Sequence, residues 1–274
     1  MTDRVLVNID GGVADVRLNR PEKLNALDTA MFKAIAEAGD QLKSEPGVRA
    51  VVLSGEGRGF CAGLDFGGFQ SMKESRGPGT ADGGVSDLGQ TNGRVTHLGQ
   101  QVAWVWTELE VPVIAAIHGP CLGGGLQIAL GADIRIVAPD ASLSVLEIRW
   151  GLVPDMTASL MLPGLMGLDM AKQLMWTGRT VSGDEAVRLG LATSSADDPR
   201  AAALELAAEL AAKSPHAIRA GKRLLTGLAG RSTAEQLALE RREIGALIGG
   251  PNQVEAVSAY FEKRPPVYSD PTTK

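Results

Sequence analysis

The sequence predicts an α/β fold followed by a helical C-terminal segment. Two observations support this prediction: strand-like and helix-like stretches alternate up to about Gly151, and the pattern beyond it is helical almost throughout. Alternation of the two element types is typical of an α/β core, and the later run of helices indicates an added helical layer. We therefore expect a core over residues 1–195 and a helical segment over residues 196–274.

The expected elements follow from hydrophobic periodicity and from turn residues. Apolar stretches at residues 5–9 and 13–18 lie on either side of an Asp-Gly-Gly turn, which predicts a β-hairpin. Asp28 is the expected N-cap of a helix that continues to about Lys43. Residues 67–93 are rich in glycine and lack periodicity, which predicts a long mobile loop. The further expected strands are 50–53, 113–117 and 134–138, and the further expected helices are 96–108, 124–130, 157–162, 169–177, 183–190, 199–213, 215–228, 233–248 and 251–262.

The composition narrows the classes of function. Of the 274 residues, 44% are hydrophobic and 22% are charged, and the formal net charge is −5. This acidic balance argues against nucleic-acid and anionic-membrane partners. The sequence shows no secretory signal and no apolar run near the roughly 20 residues of a membrane-spanning helix, so we expect a cytoplasmic protein. Cys61 and Cys121 lack metal-ligand spacing and are expected to be free thiols, with no metal bound.

Three consecutive glycines, Gly123 to Gly125, follow a predicted strand and lead into the helix predicted at residues 124–130. Glycine costs about 0.8–1.0 kcal/mol relative to alanine inside a helix, so three in a row indicate a special requirement. One explanation is close packing of the helix against the sheet. The other is contact with an anion, or with an oxygen that becomes an anion during a reaction, because a helix N-terminus presents unpaired N–H donors.

A second glycine-bearing turn and a carboxylate add to this pattern. Residues 59–65 read GFCAGLD after a predicted strand, and Glu147 lies among apolar residues ahead of Asp155. Two such turns can each direct one N–H at a shared point and form an oxyanion hole, with the carboxylate beside it for proton transfer. The glycine patterns of dinucleotide-binding and P-loop proteins are absent from the sequence. An ordinary strand-to-loop turn is the alternative interpretation of residues 59–65.

Several sequence segments occur in a recognisable order. They are RPEKLNAL at 20–27, GFCAGLD at 59–65, VPVIAAIHG at 111–119, GGG at 123–125, ADIR at 132–135, Glu147, and GLVP at 151–154. Together they resemble the enoyl-CoA hydratase/isomerase, or crotonase, superfamily over about residues 5–261. The resemblance implies a crotonase-like superhelix of β-β-α units, with the C-terminal helical segment serving in trimerisation or as a lid. It further implies an acyl-coenzyme A thioester substrate, a homotrimer or dimer of trimers, and no cofactor beyond the coenzyme A of the substrate.

The resemblance also assigns roles to residues at matching positions. The oxyanion donors would be the backbone N–H groups of Leu64 and Gly124, and the proton-transfer group would be Glu147. Lys23 is alternatively a solvated surface lysine, and Trp150 alternatively packs in the core. The residues expected to bind the substrate, including its adenine and phosphate end, are Lys23, Leu24, Ala62, Gly63, Asp65, Gly123, Gln127 and Trp150.

The acid/base positions separate the activities of the superfamily. Hydratases resemble one another in two glutamates, whereas this chain has Gln127 at the first of these positions and Glu147 at the second. A carboxamide can hold water but cannot act as a base or deliver a proton at neutral pH, which favours isomerisation over hydration. Asp155 matches a position of dienoyl-CoA isomerases, although those also carry an aspartate in place of Gln127. Capping of a helix at 157–162 is the alternative role of Asp155.

Two functions of different classes follow from these patterns. The first is an acyl-CoA double-bond isomerase or a related enoyl-CoA enzyme, with hydration and thioester hydrolysis as alternatives at the same oxyanion hole. The second is a non-catalytic acyl-CoA-binding scaffold, for which Gln127 is the main argument. A nucleophilic pair of His118 and Cys121 is a further alternative.

Overall fold

The computed structural model describes residues 3–65, 67, 91 and 93–271 of the chain. Nearly all of the loop predicted at residues 67–93 lies outside the described residues. Within the described ranges, no helix is both long enough and apolar enough to cross a membrane.

The described chain forms two β-sheets surrounded by helices. The strands are β1 (Val5–Asp10), β2 (Val13–Leu18), β3 (Ala50–Gly55), β4 (Val113–Ile117), β5 (Pro120–Leu122), β6 (Ile134–Val137), β7 (Ser142–Ser144), β8 (Val181–Ser182) and β9 (Ser194–Ser195). The α-helices are α1 (Thr29–Ser44), α2 (Leu98–Glu108), α3 (Gly124–Leu130), α4 (Ala158–Met161), α5 (Leu168–Thr177), α6 (Gly183–Leu189), α7 (Pro199–Ala211), α8 (Pro215–Leu225), α9 (Thr233–Leu247) and α10 (Pro251–Glu262). This arrangement confirms the predicted α/β class, and the helices dominate after β7 as expected.

The larger sheet has the strand order β1-β2-β3-β4-β6-β9. Strands β1 and β2 form the predicted antiparallel hairpin, whereas β2 to β9 pair in parallel. The smaller sheet has the order β5-β7-β8. Its strands contain two or three residues each, which is too short for a sequence period, and the sequence analysis did not predict this sheet.

Several predicted elements are confirmed with their predicted bounds, among them β2, β4, α3 and α10. Others begin or end a few residues away from the prediction. Asp28 is the N-cap of α1, as expected, and its carboxylate accepts a hydrogen bond of 2.8 Å from the Met31 N–H. Local signals therefore specified most elements that are long enough to show periodicity.

The central strand β3 is buried along its whole length and has a hydrophobic cluster on each face. Val51 belongs to the larger cluster, which also includes α1 and α2, whereas Val52 belongs to the smaller one. Ala203 and Ala207 of α7 complete the smaller cluster and are fully buried. Because alanine side chains are short, α7 can lie close to the sheet. The segment after residue 195 thus packs directly on the core, while the division at this residue stays a prediction.

Helix α8 is attached to the core through a lysine. The Lys222 ammonium group donates to the Val111 carbonyl at 2.8 Å and to the Asp133 carboxylate at 2.7 Å. Burial lowers the pKa of Lys222, and the Asp133 carboxylate acts in the opposite direction. A buried charge needs partners of this kind, so this contact fixes the position of α8 on the sheet.

The end of the described chain returns to the core through a second polar contact. The buried Asn252 amide donates to the Ser269 carbonyl at 2.8 Å and accepts from the Ser269 N–H at 3.0 Å. Its nitrogen also lies 2.8 Å from Nδ1 of His216. Nearby, Arg49 forms a 2.6 Å ion pair with Asp270. Asn252 therefore joins α10, α8 and the terminal segment at one point.

We expect Asn252→Ala to lower the free energy of unfolding by about 1–3 kcal/mol, because the variant leaves several polar groups without partners. Urea denaturation measures this change. The matched control is Gln253→Ala at the exposed neighbouring position, which loses the hydrogen bond from the Gly249 N–H at 2.9 Å; water can replace this bond, so we expect a loss of about 0.5 kcal/mol. Equal effects of the two substitutions would contradict the role assigned to Asn252.

Candidate active site

A short ladder of backbone hydrogen bonds joins the two glycine-bearing turns. The Cys61 N–H donates to the Pro120 carbonyl at 3.0 Å, and the Leu122 N–H donates to the Cys61 carbonyl at 2.9 Å. Cys61 and Cys121 consequently lie opposite each other in a parallel bridge. Sequence separation hid this contact, which places the two turns side by side.

The Leu64 N–H, the first predicted oxyanion donor, points away from the neighbouring segment around Leu27. The Leu27 N–H donates to the Gly63 carbonyl at 2.8 Å, and the Asp65 N–H donates to the Leu27 carbonyl at 3.0 Å. Because successive residues of an extended segment direct their N–H groups to opposite sides, the Leu64 N–H faces away from Leu27. Within the described part of the chain, no acceptor bonds to the Leu64 N–H.

The second predicted donor begins helix α3. The Gly124 N–H is in the first turn of the helix, where backbone N–H groups lack intrahelical acceptors. A Cβ atom at Gly63 would lie 3.8 Å from the Gly124 nitrogen, so the two turns are in direct contact. The φ angle of Gly63 is +88°, a conformation that glycine adopts without steric cost. Two unpaired donors on adjoining turns match the arrangement that an oxyanion hole requires.

The close approach of the turns also explains the third glycine. A Cβ atom at Gly125 would lie 2.4 Å from the Cys61 carbonyl oxygen and 2.7 Å from the Cys61 Cβ atom. The two explanations of the triple glycine therefore apply to different residues. Gly125 permits close packing, whereas Gly124 supplies the free N–H.

A carboxylate and a carboxamide form the polar side-chain pair of the site. Gln127 on α3 is fully buried, and its Nε2 donates to Oε1 of Glu147 at 2.7 Å. The Gln127 oxygen accepts from the N–H groups of Met156 and Ala158, at 2.9 and 3.2 Å. These three bonds fix the orientation of the amide. Gln127 therefore acts on Glu147 only as a hydrogen-bond donor.

Glu147 lies beside the triple glycine. A Cβ atom at Gly123 would lie 3.4 Å from Oε1 of Glu147, which leaves room for this carboxylate because position 123 has no side chain. Burial raises the pKa of Glu147, the negative charge of Asp155 raises it further, and the hydrogen bond from Gln127 opposes both effects. Oε2 of Glu147 is buried and has no hydrogen-bond partner among the described residues. A raised pKa and a free oxygen are properties expected of a general base.

Asp155 lies in the exposed loop before α4, and its charge acts on Glu147. It does not cap the helix, as one interpretation of the sequence proposed. Thr157 occupies the N-cap position of α4 and makes no capping hydrogen bond through its side chain. The helix begins at Ala158, one residue later than predicted, so Asp155 is too far upstream to cap it.

The residues expected to bind coenzyme A lie around the first turn. Lys23 is exposed at the end of a short 3-10 helix, and the Ala62 N–H donates to the Leu24 carbonyl at 2.9 Å. The Asp65 carboxylate accepts from the Gly67 N–H at 2.9 Å and forms a 2.6 Å hydrogen bond with Arg20. These two contacts hold the pKa of Asp65 below its ordinary value. In this structure Asp65 therefore holds the turn that carries Leu64.

The environments of Trp150, His118 and Cys121 disagree with two other interpretations of the sequence. The Trp150 side chain is 44% exposed, so the interpretation as a core residue is wrong. Nε2 of His118 lies 3.0 Å from the Gly57 carbonyl, and Cys121 is fully buried in the hydrophobic core. Burial raises the pKa of the Cys121 thiol well above its ordinary value, which opposes formation of a thiolate nucleophile.

Asn25 is a site residue that the sequence analysis missed. It is fully buried with φ of +57°, and its Nδ2 lies within 3.2 Å of the carbonyls of Glu56, Gly59 and Phe60. Its Oδ1 accepts from the Arg20 N–H at 2.8 Å. Asn25 thus fixes the segment that leads into the first turn. An asparagine in the sequence is compatible with a left-handed backbone conformation. Its presence does not show which distant carbonyl groups it bonds to.

Comparison with known proteins gives a consistent result. The profile of the enoyl-CoA hydratase/isomerase family matches residues 8–271. A short-chain-enoyl-CoA hydratase of Clostridium acetobutylicum is 32% identical over 265 residues, which cover 96% of each chain. A peroxisomal Delta(3,5)-Delta(2,4)-dienoyl-CoA isomerase of Arabidopsis thaliana is 31% identical, over 96% of this chain and 94% of the relative. A solved structure from Streptomyces coelicolor A3(2) has a TM-score of 0.87 and 34% identity, over 97% of this chain and 94% of that chain.

We expect Gly125→Ala to destabilise the fold by about 1–3 kcal/mol, because the added methyl group collides with the backbone of Cys61 and forces the two turns apart. Urea denaturation measures the change. Gly245→Ala is the matched control, since a Cβ atom there meets nothing within 4 Å. Alanine in this helical position should raise stability by up to about 1 kcal/mol. A neutral Gly125→Ala substitution would show that the turns have room to separate.

Proposed function

We propose that this chain, which belongs to the enoyl-CoA hydratase/isomerase family, is a double-bond isomerase of acyl-coenzyme A thioesters. The observation that carries the proposal is that residue 127 is a carboxamide bonded to Glu147, so that one buried carboxylate, rather than two, lies beside the two N–H donors. At the level of the family, the chain is an acyl-CoA-processing enzyme.

The first step is removal of a proton from the carbon chain next to the thioester. Glu147 takes the proton on Oε2, the oxygen without a partner in the described structure. The electron pair of the broken C–H bond moves into the thioester, whose carbonyl oxygen becomes an enolate oxyanion. The N–H groups of Leu64 and Gly124 donate to that oxygen. Each such donor contributes about 2.7–4 kcal/mol of transition-state stabilisation in comparable sites.

The second step returns the proton to a carbon farther along the conjugated system. Glu147 can deliver the proton that it removed, or the proton can pass from Glu147 to the Asp155 carboxylate and from there to a more distant carbon. The double bond then lies at a new position, and the enolate has reverted to a thioester. The proton that enters the carbon chain balances the one that left it.

Addition of water makes a different demand on the site. One group must activate the water while a proton is delivered to the carbon beside the thioester. Gln127 cannot exchange a proton at neutral pH, and its donor group is already bonded to Glu147. Glu147 would have to perform both tasks. Isomerisation requires a single proton that leaves and returns, which one carboxylate supplies.

Hydration is the second candidate function, because most of the similar proteins carry hydratase names. A binding scaffold without catalysis is the third. Retention of a buried, base-like Glu147 with a free oxygen argues against a scaffold. We further propose that Lys23 and Leu24 contact the coenzyme A portion and that the chain assembles as a homotrimer or a dimer of trimers.

The decisive experiment mixes the purified chain with 3-enoyl-, 3,5-dienoyl- and 2-enoyl-CoA. We expect double-bond migration in the first two substrates, which ultraviolet absorbance monitors. We expect little hydration of the third substrate. Glu147→Gln should lower the isomerisation rate by about 10²–10⁴-fold, because the amide cannot accept the proton. Unchanged turnover in this variant would refute the mechanism, and rapid hydration of 2-enoyl-CoA by the unsubstituted chain would favour the hydratase.

The counterpart variant Gln127→Glu tests why hydration is weak. The new carboxylate would keep the two N–H donors of Met156 and Ala158 and would face Glu147 with a second titratable oxygen. We expect hydration of 2-enoyl-CoA to increase in this variant, measured by loss of the conjugated absorbance. If hydration does not increase, the identity of residue 127 is not what limits this reaction.

The pH dependence provides a further prediction. Glu147 must be ionised to act as a base, so the rate falls as the pH decreases through its raised pKa. The Asp155 charge contributes to that rise. In Asp155→Asn the pKa of Glu147 decreases, and the acid limb of the pH–rate profile should move to lower pH. The control Asp140→Asn, at another exposed aspartate, should leave the limb in place; movement of the Asp155→Asn limb to higher pH would contradict the prediction.

A further inference from the structure

Thr157 has an unusual backbone conformation for its residue type. Its φ and ψ angles are 82° and −5°, in the left-handed region. Of the non-glycine residues with positive φ in the described chain, which are Leu24, Asn25, Thr157 and Lys263, only Thr157 is β-branched. Branching at Cβ makes this conformation unfavourable, so the surrounding structure must enforce it.

The side chain of Thr157 does not explain this conformation. The residue is 7% exposed, and its hydroxyl oxygen is buried without a hydrogen-bond partner in the described part of the chain. The Thr157 carbonyl accepts from the N–H groups of Leu160 and Met161 at the start of α4. A helix start of this kind does not require a left-handed N-cap residue, because N-cap residues are typically extended.

The neighbouring N–H groups supply the explanation. Met156 precedes Thr157 and Ala158 follows it, and both N–H groups donate to the same oxygen of Gln127. Convergence of N–H groups two residues apart is a property of backbone nests, which contain a left-handed residue and bind negatively polarised oxygens. If residues 156–158 were extended, these two N–H groups would point to the same side but would lie roughly 6.5 Å apart along the chain, too far to share one oxygen at 2.9 and 3.2 Å.

This convergence determines which end of the Gln127 amide faces Glu147. A flipped amide would direct its NH₂ group at two backbone donors and its oxygen at the Glu147 carboxylate. All three contacts would be repulsive, and Gln127 is fully buried, so water cannot replace them. The nest therefore enforces a donor next to Oε1 of Glu147.

We infer that Thr157 is a positioning residue, whose left-handed backbone holds the Gln127 amide in the orientation that donates to Oε1 of Glu147 and leaves Oε2 without a partner in the described structure. The inference rests on the proposed function for the role of Glu147, but the hydrogen-bond arrangement is independent of the substrate. Asp155 is the charged group that acts on Glu147 in this region. The other partners are the Gln127 amide and the backbone of Leu146 and Glu147.

The test compares Thr157→Pro, Thr157→Gly and Thr157→Val in the full chain. Proline cannot adopt positive φ, so the nest is lost and Gln127 no longer holds its donor towards Glu147. We expect NMR titration of the Glu147 carboxyl carbon to move to higher pH in Thr157→Pro, and kcat for isomerisation to fall by about tenfold or more. Glycine favours the left-handed conformation and valine retains the shape of threonine, so the titration should stay at its original pH in both. Ser159→Gly, at an exposed position in α4, controls for an added glycine.

Several outcomes would overturn the inference. One is a Thr157→Pro variant that folds but leaves the Glu147 titration at its original pH. Another is a shifted Glu147 titration in Thr157→Val, which replaces the hydroxyl with a methyl group and keeps the branched shape. If Thr157→Pro does not fold, the Thr157→Gly variant provides the test. We expect it to have a higher melting temperature and an unchanged Glu147 titration. A lower melting temperature or a shifted Glu147 titration would contradict the inference. The Glu147 titration can be measured without substrate. If the titrations behave as expected but the chain has no isomerase activity, the proposed function is refuted and this inference still holds.

Discussion

The candidate site depends on the short backbone ladder between residues 60–61 and residues 118–122. Two of its hydrogen bonds, at 3.0 and 2.9 Å, pair Cys61 with the segment around Cys121. Leu64 and Gly124 each follow their cysteine by three positions, so the ladder register fixes the separation of the two N–H donors. The Cys61 thiol donates to the Asn25 carbonyl at 3.1 Å, and Cys121 packs in the hydrophobic core. Their small, buried side chains allow two turns to approach where larger residues would separate them.

A fully buried carboxamide connects three parts of the site. Gln127 starts from α3, receives two N–H groups of the loop before α4, and donates to Glu147. A buried polar group without partners is costly in free energy. Each hydrogen bond of Gln127 therefore satisfies the buried amide and also limits the position of its partner, which is Glu147 or the backbone of Met156 or Ala158. The loop backbone thus orients the amide, and the oriented amide donates a hydrogen bond to the Glu147 carboxylate. Burial raises the pKa of Glu147, and the hydrogen bond from the Gln127 amide opposes that rise.

The outer layers support this centre by holding the strand ends in place. Lys222 and Asn252 attach the C-terminal helices to the core, and Asn25 attaches the segment before α1 to the first turn. In each case one side chain bonds to groups that are distant from it in sequence. Such residues fix backbone positions, and the precision of an oxyanion hole depends on backbone positions.

The sequence by itself determined the α/β class, the hairpin, most helix bounds and the Asp28 cap, because periodicity and capping act over a few residues. The motifs with their glycines also indicated Leu64, Gly124, Gln127 and Glu147 as site residues. Only the tertiary structure decided the pairing of Cys61 with Cys121, the short second sheet, the orientation of the Gln127 amide and the conformation of Thr157. These features result from contacts between segments far apart in the chain, for which no local pattern exists. The polarity of one buried amide therefore follows from packing, although the identity of the residue was evident from the start.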